Sequence, residues 1–292
     1  MQLVTWNTQW CRGMDGRVDV ARIVRHALSL GDVDVLCLQE IAVDFPRLPG
    51  APGDQEAEVC ALLPTGWQVF FGAAVDAWTG AGRQRFGNLI ATRLPVLQLQ
   101  HHLLPYPFDP QVRSSMPRLC SVLTVDHATL GPVRVMATHL EYYSHTQRMA
   151  QARRLRALHL QACAHAAQPA AGEDDGTPFQ AQVHTPHAVL CGDFNLQAHD
   201  PEYAALAAQL SSEEAAGWAA AGAVPLHDAW ALRHPGTPQP PTFCLYERRY
   251  AKAPIACDFV WVSDSLQGRV REVRIDGQTQ ASDHQPVLLS LG

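Results

Sequence analysis

Six groups of polar residues stand just beyond or just before short apolar runs, the places where a buried sheet presents functional side chains. Asn7 follows Leu3-Val4-Thr5-Trp6, and Glu40 follows Val35-Leu36-Cys37-Leu38-Gln39. His139 follows Val135-Met136-Ala137-Thr138, while Asp193 and Asn195 follow Val189-Leu190-Cys191-Gly192. Asp258 opens the run Phe259-Val260-Trp261-Val262, and Asp283 with His284 precedes Pro286-Val287-Leu288-Leu289. These residue types suit hydrolysis of a phosphoester. The anionic oxygens of a phosphodiester repel a nucleophile, and a hard divalent cation held on oxygen ligands relieves that repulsion. Glutamate and aspartate supply such ligands. An in-line water needs a positioned acceptor, which suits Asp193, and charge growing on the equatorial oxygens needs donors, which suits Asn195, His139 and His284. A carboxylate behind a histidine fixes its tautomer and favours its proton, which suits Asp258 with His284.

Each residue alone has a plainer reading. Asn7 could satisfy a turn, Glu40 could be a helix cap or surface acid, and His139 a hydrogen-bonded core histidine. Asp193 with Asn195 could form an Asx turn, and Asp283 with His284 could be a loop pair. The group Arg148, Arg153, Arg154 and Arg156 reads as the solvated face of a helix. The joint occurrence of the polar groups, in this order, is what carries weight.

The elements that must position them are short apolar runs over residues 2–6, 33–38, 67–71, 87–92, 119–125, 133–138, 188–191, 259–262, 270–275 and 286–291, whose length and Val, Leu and Phe content suit buried strands. Helical patterns lie at 18–30, 56–63, 145–167 and 202–209. Strands grouped with fewer helices predict sheets packed face to face with helices outside. Residues 168–186 and 235–241 read as loops, rich in Pro, Gly, Asp and Thr.

Seven strings together, Thr5-Trp6-Asn7, Leu38-Gln39-Glu40, Gly87-Asn88-Leu89-Ile90, Thr138-His139-Leu140, Gly192-Asp193-Phe194-Asn195, Cys257-Asp258-Phe259-Val260 and Ser282-Asp283-His284, resemble the endonuclease/exonuclease/phosphatase superfamily. That superfamily includes deoxyribonuclease I, abasic-site endonucleases, neutral sphingomyelinases and inositol polyphosphate phosphatases. The resemblance runs from residue 2 to about 290. It implies an α/β (α+β) fold, a four-layered α/β/β/α sandwich of two mixed sheets with the site in a cleft at one end. It further implies that Glu40 binds Mg2+ or Mn2+, helped by Asn7 and Asp283. Asp193 would orient and deprotonate water, and Asn195 would hold a phosphoryl oxygen. His139 and His284 would contact the phosphate, with Asp258 paired to His284. Arg118 resembles a phosphate-facing arginine, with a surface ion pair as the other reading, and Asn88 matches a string at the phosphate-binding cleft. Tyr142 and Tyr143 read equally as cleft lining or as cover for the helix that follows.

Composition bounds the rest. A chain of 292 residues with 47% hydrophobic and 17% charged residues has ample material for a core, and one domain over 1–292 is the expected organisation. Net charge is −6, and Lys252 is the only lysine. A protein gripping long nucleic acid through many phosphates usually shows a basic face, so this balance favours a small or locally held substrate. DNA remains a candidate, beside small phosphodiesters, phospholipid headgroups and sugar or inositol phosphates. An inactive relative serving as a binding module is the alternative to an enzyme. The eight cysteines show no zinc-like spacing and read as core residues of a reducing compartment. With no leader-like start and no apolar run of about 20 residues, the expectation is a cytoplasmic protein without stable membrane association or an obligate protein partner.

Overall fold

Alternate residues of the central strands face different layers, and both sets are apolar. In β1 (Gln2–Asn7), Leu3 enters one core while Val4 and Trp6 enter another. In β2 (Val35–Val43), Val35 and Cys37 divide from Leu36 and Leu38 in the same way. A strand buried on both faces needs apolar side chains at every position, which is why these segments read as continuous runs. The computed structural model describes residues 1–80, 82–207 and 225–292.

Two six-stranded mixed sheets result. The first adds β3 (Gln68–Thr79), β4 (Gly82–Thr92), β11 (Val270–Ile275) and β12 (Val287–Leu291), in the order β11-β12-β1-β2-β4-β3. The second contains β5 (Val96–Leu103), β6 (Leu119–His127), β7 (Gly131–His139), β8 (Ala188–Asp193), β9 (Leu226–Asp228) and β10 (Asp258–Ser263), in the order β5-β6-β7-β8-β10-β9. The core between them joins Leu3, Val35 and Ile90 to Leu123, Val135, Val189 and Val260. Helices cover the outer faces. On the first sheet, α1 (Val20–Ser29) buries Val20, Ile23, Val24 and Ala27, a helical stripe, and Asp19 caps it by accepting from the Arg22 backbone N–H at 2.8 Å. Nearby, α2 (Gln55–Leu62) adds Val59. Across the second sheet lies α3 (His145–Ala167), with Leu155 and Leu158 against Met136, Leu190 and Trp261. The short helix α4 (Pro201–Ala207) adds Leu206 on that side, whereas α5 (Ala229–Arg233) sets Ala229, Trp230 and Leu232 against the core between the sheets.

The sandwich of two mixed sheets flanked by helices is the architecture the sequence predicts. The differences lie at its margins. No strand is predicted at β5, an edge strand whose side chains are mostly exposed and which carries Gln and His among its leucines. β9 is three residues long and gives no periodic signal. The β3–β4 hairpin runs well past its apolar half, to a tip where Asp76 pairs with Arg83 at 2.7 Å and Arg83 lies over Trp78. The helix predicted at 202–209 is seen over Pro201–Ala207, and positions 208 and 209 fall outside the described residues. All eight cysteines are free thiols, seven of them buried. Among the described residues no helix is long and apolar enough to cross a membrane.

Arg148 departs from the expected solvated face. It is 3% exposed; its guanidinium donates through Nη1 to the carbonyls of Glu141 and Tyr142, each at 2.9 Å, and lies 3.3 Å from Oε1 of Glu202. The first turns of α3 are a polar internal face that fastens the segment after β7, the strand that ends at His139.

Candidate active site

The ends of β1, β7 and β8, the start of β10 and the turn before β12 converge at one edge of the sandwich. Register explains this: β7 runs parallel to β8 with His139 opposite Asp193, and β10 returns antiparallel with Asp258 opposite Asp193. Glu40 arrives by a bulge. β2 pairs with β4 up to Leu38 opposite Leu89 and resumes at Ile41 opposite Gly87, so Gln39 and Glu40 share the space across from Asn88. Glu40 has φ +58, which turns its carboxylate out of the ladder. At Gly192, φ is +141 and a Cβ would collide with the Thr138 carbonyl oxygen; only glycine lets β8 lie this close to β7 just before Asp193.

A cleft of about 230 Å³ opens here, lined by Glu40, His139, Asp193, Asn195, Asp283, His284 and Arg118 among others. Asp193 is its hub, 1% exposed. Its Oδ1 accepts from the Asn195 backbone N–H at 2.9 Å, and its Oδ2 accepts from Nδ2 of Asn7 at 2.9 Å. Nε2 of His139 stands 3.4 Å from that same Oδ2, and Nε2 of His284 stands 3.7 Å away. The Nδ1–H of His284 donates to Oδ2 of Asp258 at 2.9 Å, and the Thr242 hydroxyl donates to that oxygen at 2.5 Å. Phe243 stacks on the His284 ring with centroids 4.3 Å apart.

The two histidines are opposites in protonation. Burial pushes His139 down to about 3, with the Arg118 charge acting in the same direction and Asp193 opposing. Burial also disfavours charge on His284, but Asp258 and Asp193 outweigh it and hold the imidazolium well above the ordinary histidine range. His139 is therefore neutral and His284 cationic near neutrality. Beside this group, across Nδ2 of Asn7, Glu40 is raised to about 7, by burial first and the charge of Asp283 second. Asp283 is raised as well, mainly by burial. Glu40 sits deep on the cleft floor yet remains reachable by solvent. It accepts from Nδ2 of Asn7 at 3.1 Å, and Asp283 accepts from Nε2 of Gln9 at 2.7 Å.

These two carboxylates have amide donors and, of positive charge, the nearby His284, and both are still raised; hard oxygen donors of this kind fit a divalent cation. A second convergence joins Asp193, Cys257 and His284, whose potential ligand atoms lie within 4.8 Å of one another. Burial pushes the Cys257 thiol well above its usual range, and Nδ1 of His284 is engaged by Asp258, so this trio suits a hard cation less well than Glu40 and Asp283.

Two expected residues lie elsewhere than at the cleft wall. Asn88, placed by its string at the phosphate site, is 3% exposed and donates from Nδ2 to the Leu119 carbonyl at 3.4 Å, so it joins the two sheets beneath the cleft and does not line it. Asn7, expected beside the metal, is 1% exposed and turns its N–H groups to Glu40 and Asp193, while its Oδ1 accepts from the Gln9 backbone at 3.1 Å. An amide donating to both carboxylates positions them, and its oxygen accepts one backbone hydrogen bond. Arg118 is 6% exposed, with Nε 3.2 Å from Oε2 of the fully buried Glu141, and its Nη1 has no partner. It is neither a surface ion pair nor a free arginine: Glu141 holds it in the cleft wall. Tyr142 and Tyr143 line the cleft, stacked edge to face at 4.9 Å.

Gln9, Glu141, Thr242 and Phe243 escaped the sequence reading. Gln9 belongs to a run with Trp10 and Cys11 at φ +48, +45 and +59, a conformation that pattern does not reveal. Thr242 and Phe243 follow the proline-dense 235–241 loop, and only the bridges of Phe243 to Ile255 and to His284 bring them in. Glu141 follows Thr138-His139-Leu140 directly, so proximity to that string was the available signal.

Residues 4–284 match the sequence model of the Endonuclease/Exonuclease/phosphatase family. The chain belongs to that family, whose name describes cleavage of phosphoesters. No curated protein matches it in sequence. Among solved structures it is similar to an endonuclease/exonuclease/phosphatase from Beutenbergia cavernae, at 23% identity and TM-score 0.65, covering 100% of this chain and 72% of that one. It is also similar to a mannosyl-6-phosphatase from Bacteroides thetaiotaomicron, at 15% identity and TM-score 0.64, covering 100% and 99%. The 3′ phosphatase NExo from Neisseria, bound to a product DNA hairpin, aligns at 21% identity and TM-score 0.56, again covering 100% and 99%.

Proposed function

We propose that this chain is a Mg2+- or Mn2+-dependent phosphoester hydrolase, a phosphodiesterase or phosphatase working by in-line attack of water. The observation that carries the reading is the surroundings of Asp193 Oδ2, which meets Asn7, His139 and His284 in the same cleft as the Glu40–Asp283 carboxylates. Glu40 and Asp283 would hold the cation, which when bound supplies positive charge to the phosphoryl oxygens and the leaving group.

The chain's own residues do the rest. Asp193 is fixed through both oxygens, so it presents an oriented acceptor for the proton of an attacking water. His284, kept protonated by Asp258, donates charge-assisted hydrogen bonds to a phosphoryl oxygen. His139 offers a neutral N–H, and Asn195, held by its own donation to the Leu140 carbonyl at 2.9 Å, keeps a second amide hydrogen for the phosphate. Arg118, held by Glu141, lines the cleft and sets a fixed positive charge in its wall, suited to an anionic substrate.

The volume of the cleft and the negative net charge support a small substrate or one gripped near a chain end. Trp10, Tyr142, Tyr143, Phe243 and Tyr250 around the phosphate position favour a planar or apolar group beside it. A DNA end meets that description, as does a small phosphodiester. Within this reading the protein is one catalytic domain acting in the cytoplasm, with no membrane or protein partner needed. The test is a screen of purified protein against DNA, bis-p-nitrophenyl phosphate, sphingomyelin, and sugar and inositol phosphates, with Mg2+, with Mn2+ and with chelator. Turnover of at least one phosphoester only when the cation is present is the expected result. Failure on every substrate with either cation would favour an inactive binding module.

A further inference from the structure

A second cavity, of about 220 Å³, lies between the outer face of the second sheet and α3. Its floor is Arg134 on β7, 7% exposed. The guanidinium is held through Nε by the Thr185 carbonyl at 3.0 Å and through Nη2 by the ring of His159 at 3.0 Å. Its Nη1 faces the thioether sulfur of Met136 at 3.6 Å, a poor acceptor. Among the described residues no carboxylate pairs with it and none lines the cavity. The walls instead bring His102, His165 and His184, with Gln98 and Gln100 beside them. His165 and His184 are stacked at 5.1 Å. Burial lowers the Arg134 guanidinium from its usual range, the signature of a cation without a counter-charge.

A buried cation costs free energy until an anion meets it, and here the fold has placed amides and imidazoles around one instead of acids. We infer that this cavity is a binding site for a small tetrahedral oxyanion of the phosphate class. Arg134 would bind it through Nη1, His184 and His102 would add donors, and the glutamine amides would adapt to the remaining oxygens. None of these residues belongs to the hydrolytic cleft, so the inference does not depend on the reading of the cleft.

Inorganic phosphate is the probe, with excess chelator present so that no cation bridges phosphate to the cleft carboxylates. Equilibrium dialysis with labelled phosphate on the full chain, its Arg134→Gln and His184→Ala variants, and Asn195→Ala as the cleft control separates the two places. Arg134→Gln is expected to weaken binding about tenfold or more, the scale of a lost charge-assisted hydrogen bond. His184→Ala should weaken it severalfold, while Asn195→Ala should affect only phosphate held in the cleft and leave the Arg134-dependent component in place. His184 is at the exposed rim, so its variant keeps the test open if Arg134→Gln fails to fold. Unaltered affinity in both Arg134→Gln and His184→Ala, no binding by the native chain, or loss confined to Asn195→Ala would overturn the inference.

Discussion

Two groups of charge meet in the cleft and are balanced in opposite ways. On one side, His284 is backed by Asp258 and faces Asp193, so burial is outweighed and the ring keeps its proton. On the other, Glu40 is driven up to about 7 by burial first and by the like charge of Asp283 second. The histidine half is complete within the chain, whereas the carboxylate half is stabilised by added positive charge. In the proposed function one group meets an anion and the other a cation, and a phosphate bound to a divalent metal would present both.

The largest expected effects come from the hub. Asp193→Ala and His284→Ala should each lower cation-dependent hydrolysis of a generic phosphodiester by about 10²–10⁴-fold, the scale of a lost base or oxyanion donor, with circular dichroism unchanged. Native rates in both would remove the histidine half from the chemistry. Asp258→Asn should come next, at about tenfold or more, because it keeps shape but withdraws the charge that raises His284. The alkaline limb of its rate profile should move to lower pH; a limb that stays in place would mean His284 does not depend on Asp258.

Glu40→Gln sharpens the other half through stability. The folded value of Glu40, about 7, lies above its ordinary 4.5, so its proton favours the fold below 4.5 and that contribution is lost as pH rises through about 7. Glutamine mimics the protonated form. The metal-free variant should therefore melt several degrees above the native chain at about pH 8 and alongside it at about pH 4. Equal melting points at the higher pH would contradict a Glu40 carboxyl raised by burial and by Asp283. The smallest effect, only a few-fold in rate, is expected for Phe243→Leu, which removes the ring stacked on His284 but no charge.

The contrast also marks what the sequence made legible. Strands buried on both faces, such as β1, β7 and β8, announce themselves as apolar runs, and the polar residues at their ends follow from that. Asp193, His139 and Asp258 were legible for this reason, and cross-strand register then places them side by side. Edge strand β5 and the three-residue β9 lack a two-sided core and so lack the signal. Partners reached through irregular backbone were hidden likewise. Gln9 depends on left-handed residues, Thr242 on a loop that crosses to β10, and the buried role of Arg148 on carbonyls after β7. Asn7 and Asn88 show the converse, since a matching string located them correctly in the chain but did not say which way their amides point.

The most direct measurement is a Mg2+ titration of chelator-stripped protein, following hydrolysis of whichever phosphoester the screen identifies, for the native chain and Glu40→Gln side by side. The native chain should be silent in excess chelator and rise to saturation with the cation, while Glu40→Gln should need far more Mg2+ or stay silent. Full activity of both proteins in excess chelator would contradict a cation held by Glu40 and Asp283.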